Sequence, residues 1–361
     1  RGFFYSVAGK NITRGPSYAR RDSMDMGKGA PALRPAAGAA RLKSEGEHMV
    51  NYLIKRTLFA LLLVLVVATI VFGIVRLAPG DPAIVILGDA ASQESIEALH
   101  EEMGLNQPLW RQYAVFMGNL AQLDLGDSMI NGVPVLDQLE VALPYTLELT
   151  TAGMILGVVL GIPLGVICAL YRNRIPDYLG RVLSLGGISI PSFYLSILLL
   201  YAFAVKCQWF PVVNLSTDGS IAARLYNLVL PMTTQGLIMT SFIMRMARSS
   251  LLNVLGEDYV RTARGKGLPE RLVIFRHALI NALIPVVSVI GIYFVINLGS
   301  SVMTEIVFSR PGLGKLMVLA MKQRDYVMLQ SVMIVYAFLA IFINFAVDMA
   351  YALIDPRISS R

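Results

Sequence analysis

The sequence predicts an all-α, polytopic membrane protein with six transmembrane helices and a small helical region outside the bilayer. Three observations carry that prediction. Of the 361 residues, 55% are hydrophobic and only 15% are charged, against about 25% charged in soluble domains. Six apolar runs, at 57–77, 144–170, 180–207, 227–247, 280–302 and 327–353, are long enough to supply the ~20 residues that a helix needs to cross a bilayer. The segments between them differ sharply in their content of Lys and Arg. An open sheet edge would leave backbone groups unpaired in lipid, so each run is read as a helix.

The elements follow in chain order. Residues 1–48 hold nine Lys/Arg and four Asp/Glu, so +5 of the net charge of +7 lies in this tail. The tail is rich in Gly, Ala, Ser and Arg, without helical or strand periodicity and without the apolar run of a secretory signal. It reads as a disordered leader, or as a non-native extension upstream of an initiator at Met49. A basic arm touching anionic lipid is the functional alternative. The remaining residues carry only +2. That balance gives no basis for a nucleic-acid partner and leaves the lipid bilayer as the surface to be met. The first transmembrane helix falls within 49–77, where TLFALLLVLVVATIVFGIVRL follows Lys55 and Arg56. Residues 78–143 form an extramembrane helical region. There Ile96, Leu99 and Met103 share a helical face before Gly104. Pro108 opens a second helix with Trp110, Tyr113, Met117 and Leu120 along one side. Residues 144–355 supply the other five spans, and 356–361 a short tail.

Charge placement sets the orientation. With the Met49 end inside, the inner segments hold 14 of the 22 Lys/Arg after residue 48, seven of them from Arg245 to Arg276. The outer segments hold most of the acids, among them Asp81, Glu101, Glu102, Asp124 and Asp127. Both termini are therefore expected in the cytoplasm and 78–143 outside.

The segment GEDYVRTARGKGLP (256–269) then lies inside. Glu257 and Asp258 stand where a helix begins and Arg261 and Arg264 where it ends, which suits the helix dipole. Glu257 and Arg261 have i,i+4 spacing with the acid first, and Tyr259 and Ala263 share a face beside Val260. Gly265 and Gly267 permit positive φ. Leu268 is pushed to extended geometry by Pro269, which opens a second short helix, PERLVIFRHALIN. Residues 256–279 thus read as a helix, a glycine elbow and a second helix. An amphipathic hairpin lying on lipid headgroups would use the same charges, but the first helix is short and weakly apolar. A helix under about 12 residues is marginal in water. It needs a surface to pack on, and a groove on a partner protein is the expected one.

DYVRTARGKGL…RHALINALIP resembles the cytoplasmic signature of binding-protein-dependent ABC importer permeases, in the variant of the dipeptide/oligopeptide/nickel family. FGIVRLAPGDPA (72–83), GLNQPLWRQY (104–113), DLGDS (124–128) and PYTLEL (144–149) continue the likeness. GISIPSF (187–193), FSRPGLGKL (308–316) and the terminal Asp355-Pro356-Arg357 complete it in the family's order. It covers 49–361 and none of 1–48. Arg261 stands where the broad importer motif has a glutamate, so nothing that relies on that acid transfers. The resemblance implies the type I ABC importer permease fold and a bacterial inner membrane. It implies an ATPase-coupling role for Glu257, Asp258, Tyr259, Val260, Arg261, Thr262, Ala263, Arg264, Gly265, Lys266 and Gly267. It also implies as partners a second, similar permease chain, two cytoplasmic ABC ATPase subunits and an extracytoplasmic solute-binding protein. The solute expected is a di- or oligopeptide, with nickel chelates and glutathione as alternatives within the family.

Some chemistry is missing. The phosphate cradle GxxxxGK[ST] does not occur; PGLGKL (311–316) has Gly-Lys without the spacing or the Ser/Thr. The chain is therefore expected to be a transport subunit that binds no cofactor, with ATP and Mg on the partner ATPases. Histidine occurs only at 48, 100 and 277, which gives no metal site and no nucleophile–base pair. Ion-driven carriers keep ionisable groups deep in the membrane. The candidates here, Glu148 and Asp348, lie near span ends and read as interface or packing residues. A secondary transporter or channel remains the reading from a different class, and a membrane scaffold another. For a translocation path, Ser189, Pro191 and Ser192 would loosen a helix and offer hydroxyls. Asn297, Ser300 and Ser301 would narrow a pore or, equally, allow tight helix packing.

Overall fold

The computed structural model describes residues 36–77, 81–88, 91–212 and 220–354. The expectations for 1–35 and 355–361, and for the Asp348 side chain, lie outside the described residues. The chain divides after Glu47; residues 48–361 form one compact unit.

Helix α1 (Ala36–Leu77) begins upstream of the boundary expected at residue 49. The segment AAGAARLKSE is rich in strong helix formers, and elongating an existing helix avoids the cost of nucleation. Short helices α2 (Pro82–Leu87), α3 (Gln93–Glu102) and α4 (Leu109–Ala121) follow. Gly104, at φ +67°, separates the last two as expected. On α4 the packed side keeps Tyr113 and Leu120 of the expected stripe, with Met117 half-buried, and adds Phe116, while Trp110 falls outside it. Phe72 of α1 meets Tyr113 and Phe116 with ring centroids 5.3 and 5.5 Å apart, Tyr113 and Thr69 share a 2.7 Å hydrogen bond, and Trp110 is 72% exposed.

Helix α5 (Val135–Leu170) starts well before the span edge expected at 144 and carries Pro144 inside it. A proline usually ends a helix. Here the turn before it is held by Val135, Leu139 and Ala142, packed against Leu313, Met328 and Val332. Helices α6 (Ile175–Ser189) and α7 (Ser192–Leu199), the latter running into a π-helical turn at Leu200–Lys206, replace the straight span expected at 180–207. They bend by 105°, because Ile190 takes the extended geometry (φ −82°, ψ 122°) that a following proline imposes. Next come α8 (Ile221–Leu255) and α9 (Asp258–Gly265). The expected second short helix is not separate: α10 (Glu270–Leu272) passes through a π-helical turn, Val273–Ala278, into α11 (Leu279–Val307). Helices α12 (Leu313–Gln323) and α13 (Tyr326–Ile354) complete the described chain. Among the described residues the only strand-like feature is an isolated bridge between Asp127 and Pro134.

Among the described residues four segments are long and apolar enough to cross a membrane: Ile54–Leu77, Val135–Leu170, Glu270–Val307 and Tyr326–Val347; the bent α6–α7 pair makes a fifth. Helix α8 is 35 residues long but more polar, because Thr234, Gln235, Thr240 and Ser241 are buried against protein instead of facing lipid. The six expected spans thus resolve into four apolar helices, one bent pair and one central polar helix.

The seam between α5 and α8 organises the bundle. Gly153, Gly157, Gly161 and Gly165 line up at four-residue spacing on α5 and are all buried. A Cβ at Gly153 would stand 2.8 Å from Gln235 Cβ, one at Gly161 2.8 Å from Ile243 Cβ, and one at Gly165 2.7 Å from Ala247 Cβ; at Gly157 it would collide with Met239. Only hydrogen fits, so the backbones approach closely, as small-residue stripes allow. Met154, Met239, Ile243 and Ala247 extend the seam to Val286 of α11. Asp177, buried at the start of α6, ties that helix to α8 through Arg248 Nε and Nη2 at 2.5 and 2.9 Å.

Candidate functional site

The site built from 257–267 sits beside the C-terminal end of α5. Glu257 enters α9 with extended geometry and no side-chain cap bond; its carbonyl accepts from the Val260 and Arg261 amides at 3.1 and 3.2 Å. Asp258 occupies the first turn and Arg264 the last, matching the dipole. The partner of Arg261 is Asp258, three residues away with Nη1–Oδ1 at 3.5 Å, and not Glu257. Both groups are open to solvent, so the pair adds little. Thr262 returns its hydroxyl to the Asp258 carbonyl at 2.8 Å.

What holds α9 is its inner face. Val260 and Ala263 are buried with Val166 and Ala169 of α5, Leu251 of α8, and Val273, Ala278 and Ala282 beyond the elbow. Burying a side chain the size of Val260 is worth about 1.5–3 kcal/mol, enough to fix an eight-residue helix that would melt alone. This corrects the expectation that a partner must supply the apolar surface. The chain supplies it, and Glu257, Asp258, Tyr259, Arg261, Thr262 and Lys266 remain exposed on the other side. The Tyr259 hydroxyl accepts from Asn281 Nδ2 at 3.1 Å, a second attachment to α11.

Only one of the two elbow glycines uses its freedom. Gly267 has φ +75°, whereas Gly265 is the last residue of α9 with ordinary helical sign. Nothing crowds a Cβ at Gly267, so Gly267→Ala should cost only the left-handed strain of about 1–2 kcal/mol. Gly265→Ala should leave stability unchanged or raised. A thermal-unfolding comparison of the two purified variants checks this. Across the elbow, Arg264 Nη2 and Nε donate to Glu270 at 2.7 and 3.1 Å. That hydrogen bond, above all, holds the Arg264 guanidinium above its usual pKa.

The residues read as a translocation path do not converge on one surface. Ser189 and Pro191 are exposed at the α6–α7 bend and Ser192 is half-buried, its carbonyl accepting from Ser196 Oγ at 2.9 Å. Helix α7 packs on α11, yet Asn297 turns to α5, donating to the Thr150 carbonyl at 3.1 Å, and is fully buried. Ser301 is buried and bonds back to Leu298, and half-buried Ser300 to Asn297.

A buried polar frame at the opposite end of α5 escaped the sequence reading. Glu305 and Arg310 are fully buried. Glu305 Oε1 accepts from Thr146 Oγ1 at 2.6 Å, and its Oε2 accepts from the Gly314 and Lys315 amides at 2.8 and 3.2 Å. Thr146 Oγ1 in turn accepts from the Leu313 amide at 2.8 Å. Helix α12 starts after a glycine with no side chain to cap it, so two other helices cap it instead. Arg310 donates to Glu148 at 2.8 Å and to the Tyr145 carbonyl at 3.2 Å. Arg224 reaches the same carboxylate at 2.6 Å. The available signal was Glu148 inside the apolar run 144–170, read from the sequence as an interface or packing residue.

Fold and site together define a multi-pass helical membrane subunit with a short, internally anchored helix displaying a polar face. The chain belongs to the family of binding-protein-dependent transport system inner membrane components, whose description matches residues 161–360, with the family's N-terminal region matching 49–150. The glutathione transport system permease protein GsiC of Escherichia coli O6:H1 (strain CFT073) is 40% identical over 310 residues, covering 86% of this chain and 99% of that protein. GsiC of Escherichia coli strain K12 is 39% identical over the same length. An inward-facing structure of the MetNI methionine ABC transporter superposes with a TM-score of 0.50 at 19% identity, over 60% of this chain and 96% of that one, a likeness of fold. The protein is a membrane permease subunit of an ABC importer, and the ATPase is a different kind of subunit.

Proposed function

We propose that this chain forms, with a second permease subunit, the membrane path through which a short peptide or glutathione-like solute enters the cytoplasm. A solute-binding protein delivers the solute on the outer side, and two ATPase subunits carrying ATP and Mg drive the cycle from the cytoplasm. Kinship with the two GsiC permeases supports the solute class. Helix α9 is the contact for an ATPase subunit, with both chain ends and 256–279 on the cytoplasmic side. The observation that carries this reading is the two-faced anchoring of α9. Its inner face shares a core with Val166 and Ala169 of α5, while Tyr259, Arg261, Thr262 and Lys266 face outward. A push on the outer face is therefore transmitted to α5, whose other end holds the Glu305 and Arg310 frame. A ligand shifts such a device only by binding its two states with different affinity.

The test is ATP turnover of the reconstituted complex, stimulated by binding protein and peptide. Arg261→Glu combined with Lys266→Glu should lower stimulated turnover at least tenfold. Stability should stay within about 0.5 kcal/mol, as for exposed positions. Ala263→Asp, a carboxylate forced into the core, should lower both. Unchanged turnover in the double variant would overturn the coupling role. Solute uptake driven by an ion gradient in the chain purified alone would overturn the importer cycle.

A further inference from the structure

At the α4 end of the molecule the last turn of α1, helix α4, the loop at 124–127 and the start of α13 enclose a cavity of about 410 Å³. That is within the range of small-ligand sites, about 300–1,000 Å³. Its walls carry charge of both signs. Arg76 lines one side, its guanidinium carbon 5.4 Å from the Phe72 ring centroid. Its Nε is buried without a hydrogen-bond partner, and it forms no ion pair among the described residues. Glu102, Asp124 and Asp127 line the same cavity and are exposed at its rim. Asp124 accepts from the Gly126 amide at 2.9 Å, and none of the three acids is ion-paired among the described residues.

Two amide side chains share the lining with these charges. Gln330 is only 9% exposed, opens on the cavity and makes no hydrogen bond among the described residues. Gln112 spends its amide hydrogens on the Leu105 and Gln107 carbonyls at 3.0 and 2.7 Å, which leaves Oε1 buried and unpartnered. A buried polar atom without a partner costs about 1–3 kcal/mol, and a polar ligand in this concavity would supply partners to Arg76 Nε and Gln112 Oε1. No group of three acidic, histidine or cysteine side chains among the described residues could hold a metal ion, so the acids are not a cation site of that kind. Val115 and Phe116 complete the wall.

We propose that this cavity is a receiving site for a zwitterionic short peptide, separate from the path between the spans. Arg76 takes the carboxylate, the acids at the rim take the ammonium group, and Gln112 and Gln330 meet the peptide amides. The proposal deepens the peptide-import reading and rests on it for its biological sense, although binding itself is measured without transport.

The experiment uses the whole transporter in lipid nanodiscs, without binding protein, and reads maleimide labelling of Val115→Cys. Cys207→Ser removes the exposed native thiol, and Cys168 is buried. Saturating tri-alanine should slow labelling about tenfold, while tri-alanine blocked by N-acetylation and C-terminal amidation should not. Arg76→Met should abolish the protection and Arg76→Lys should keep most of it, which separates loss of the charge from loss of folding. Equal protection by the blocked peptide, no protection at all, or protection surviving Arg76→Met would overturn the site. Peptide-stimulated ATP turnover, measured with binding protein in the same preparation, distinguishes the two ideas. Turnover without protection removes the site alone, and protection without turnover upholds the site while removing the import reading.

Discussion

Gly161→Leu should prevent the protein from assembling as a single, compact species in membranes. A first side-chain atom at this position would stand 2.8 Å from Ile243 Cβ, 2.9 Å from its Cγ2 and 3.1 Å from the Thr240 carbonyl oxygen. The obvious relief, a shift of the two helices apart, is opposed on both sides. Gly165 brings α5 within 2.7 Å (as a Cβ position) of the Met244 carbonyl oxygen and 3.1 Å of the Arg248 amide, and Gly157 does the same against Met239. Adding a methyl to a packed core costs about 1–3 kcal/mol. Leucine adds three more carbons in the same direction, which brings the loss close to the whole stability of a domain, about 5–15 kcal/mol. Gly161→Ala should therefore sit between wild type and Gly161→Leu in thermal midpoint. Gly299→Ala, where nothing lies within 4 Å, should be neutral or stabilising, since alanine is favoured over glycine inside a helix by about 1 kcal/mol. Size-exclusion profiles and melting curves of detergent extracts read the series. A Gly161→Leu protein as well behaved as Gly299→Ala would mean that the seam is not close-packed.

The contrast between what was legible in the sequence and what was not follows from the range of each signal. Long apolar runs report burial in lipid residue by residue, so α1, α5, α11 and α13 were found, and local turn chemistry at Gly104, Pro108, Pro191 and Gly267 was read correctly because proline fixes its own backbone and glycine alone takes positive φ freely. Boundaries failed where tertiary contacts outweigh propensity. Pro144 lies inside α5 because Leu139 and Ala142 are packed, and PERLVIFRHALIN merges into α11 because Val273 and Ala278 are anchored in the α9 core. The segment 256–269 was recognised as a helix and an elbow, yet its inner partner was missed. Nothing local says that Val260 and Ala263 meet Val166, far away in sequence. The same holds for Glu305 and Thr146, which are 159 positions apart. Each looks unremarkable until the fold brings them together.

That last pair carries the second large expected effect. Glu305→Ala should detach the start of α12 and lower stability by at least about 1–3 kcal/mol, since the buried Gly314 amide loses its acceptor at about that cost. The part-buried Lys315 amide and the Thr146 hydroxyl lose theirs as well. Glu305→Gln should cost less, because one amide oxygen still accepts while its NH2 must face a group that already donates. The glycine before α12 makes the argument specific to the carboxylate. A Cβ at Gly312 would meet Glu305 Oε1 and Oε2 at 2.5 Å each, whereas one at Gly314 would first strike the Val302 backbone, 2.5 Å from its Cα. Gly312→Ala should then be harmful in the wild-type background and partly relieved in Glu305→Ala, where the obstructing oxygens are gone. That double-mutant cycle is the discriminating measurement. A purely steric loop, held by the packing of Leu313 against Val135 and Leu139, predicts additive losses. A helix start shaped around a buried acid predicts a coupling of about 0.5–3 kcal/mol between the two positions. Since Thr146 and Glu148 lie two residues apart on α5, with Arg310 bonded to Glu148, the same cycle shows how firmly the Pro311–Gly314 loop is fastened to the helix whose far end carries α9.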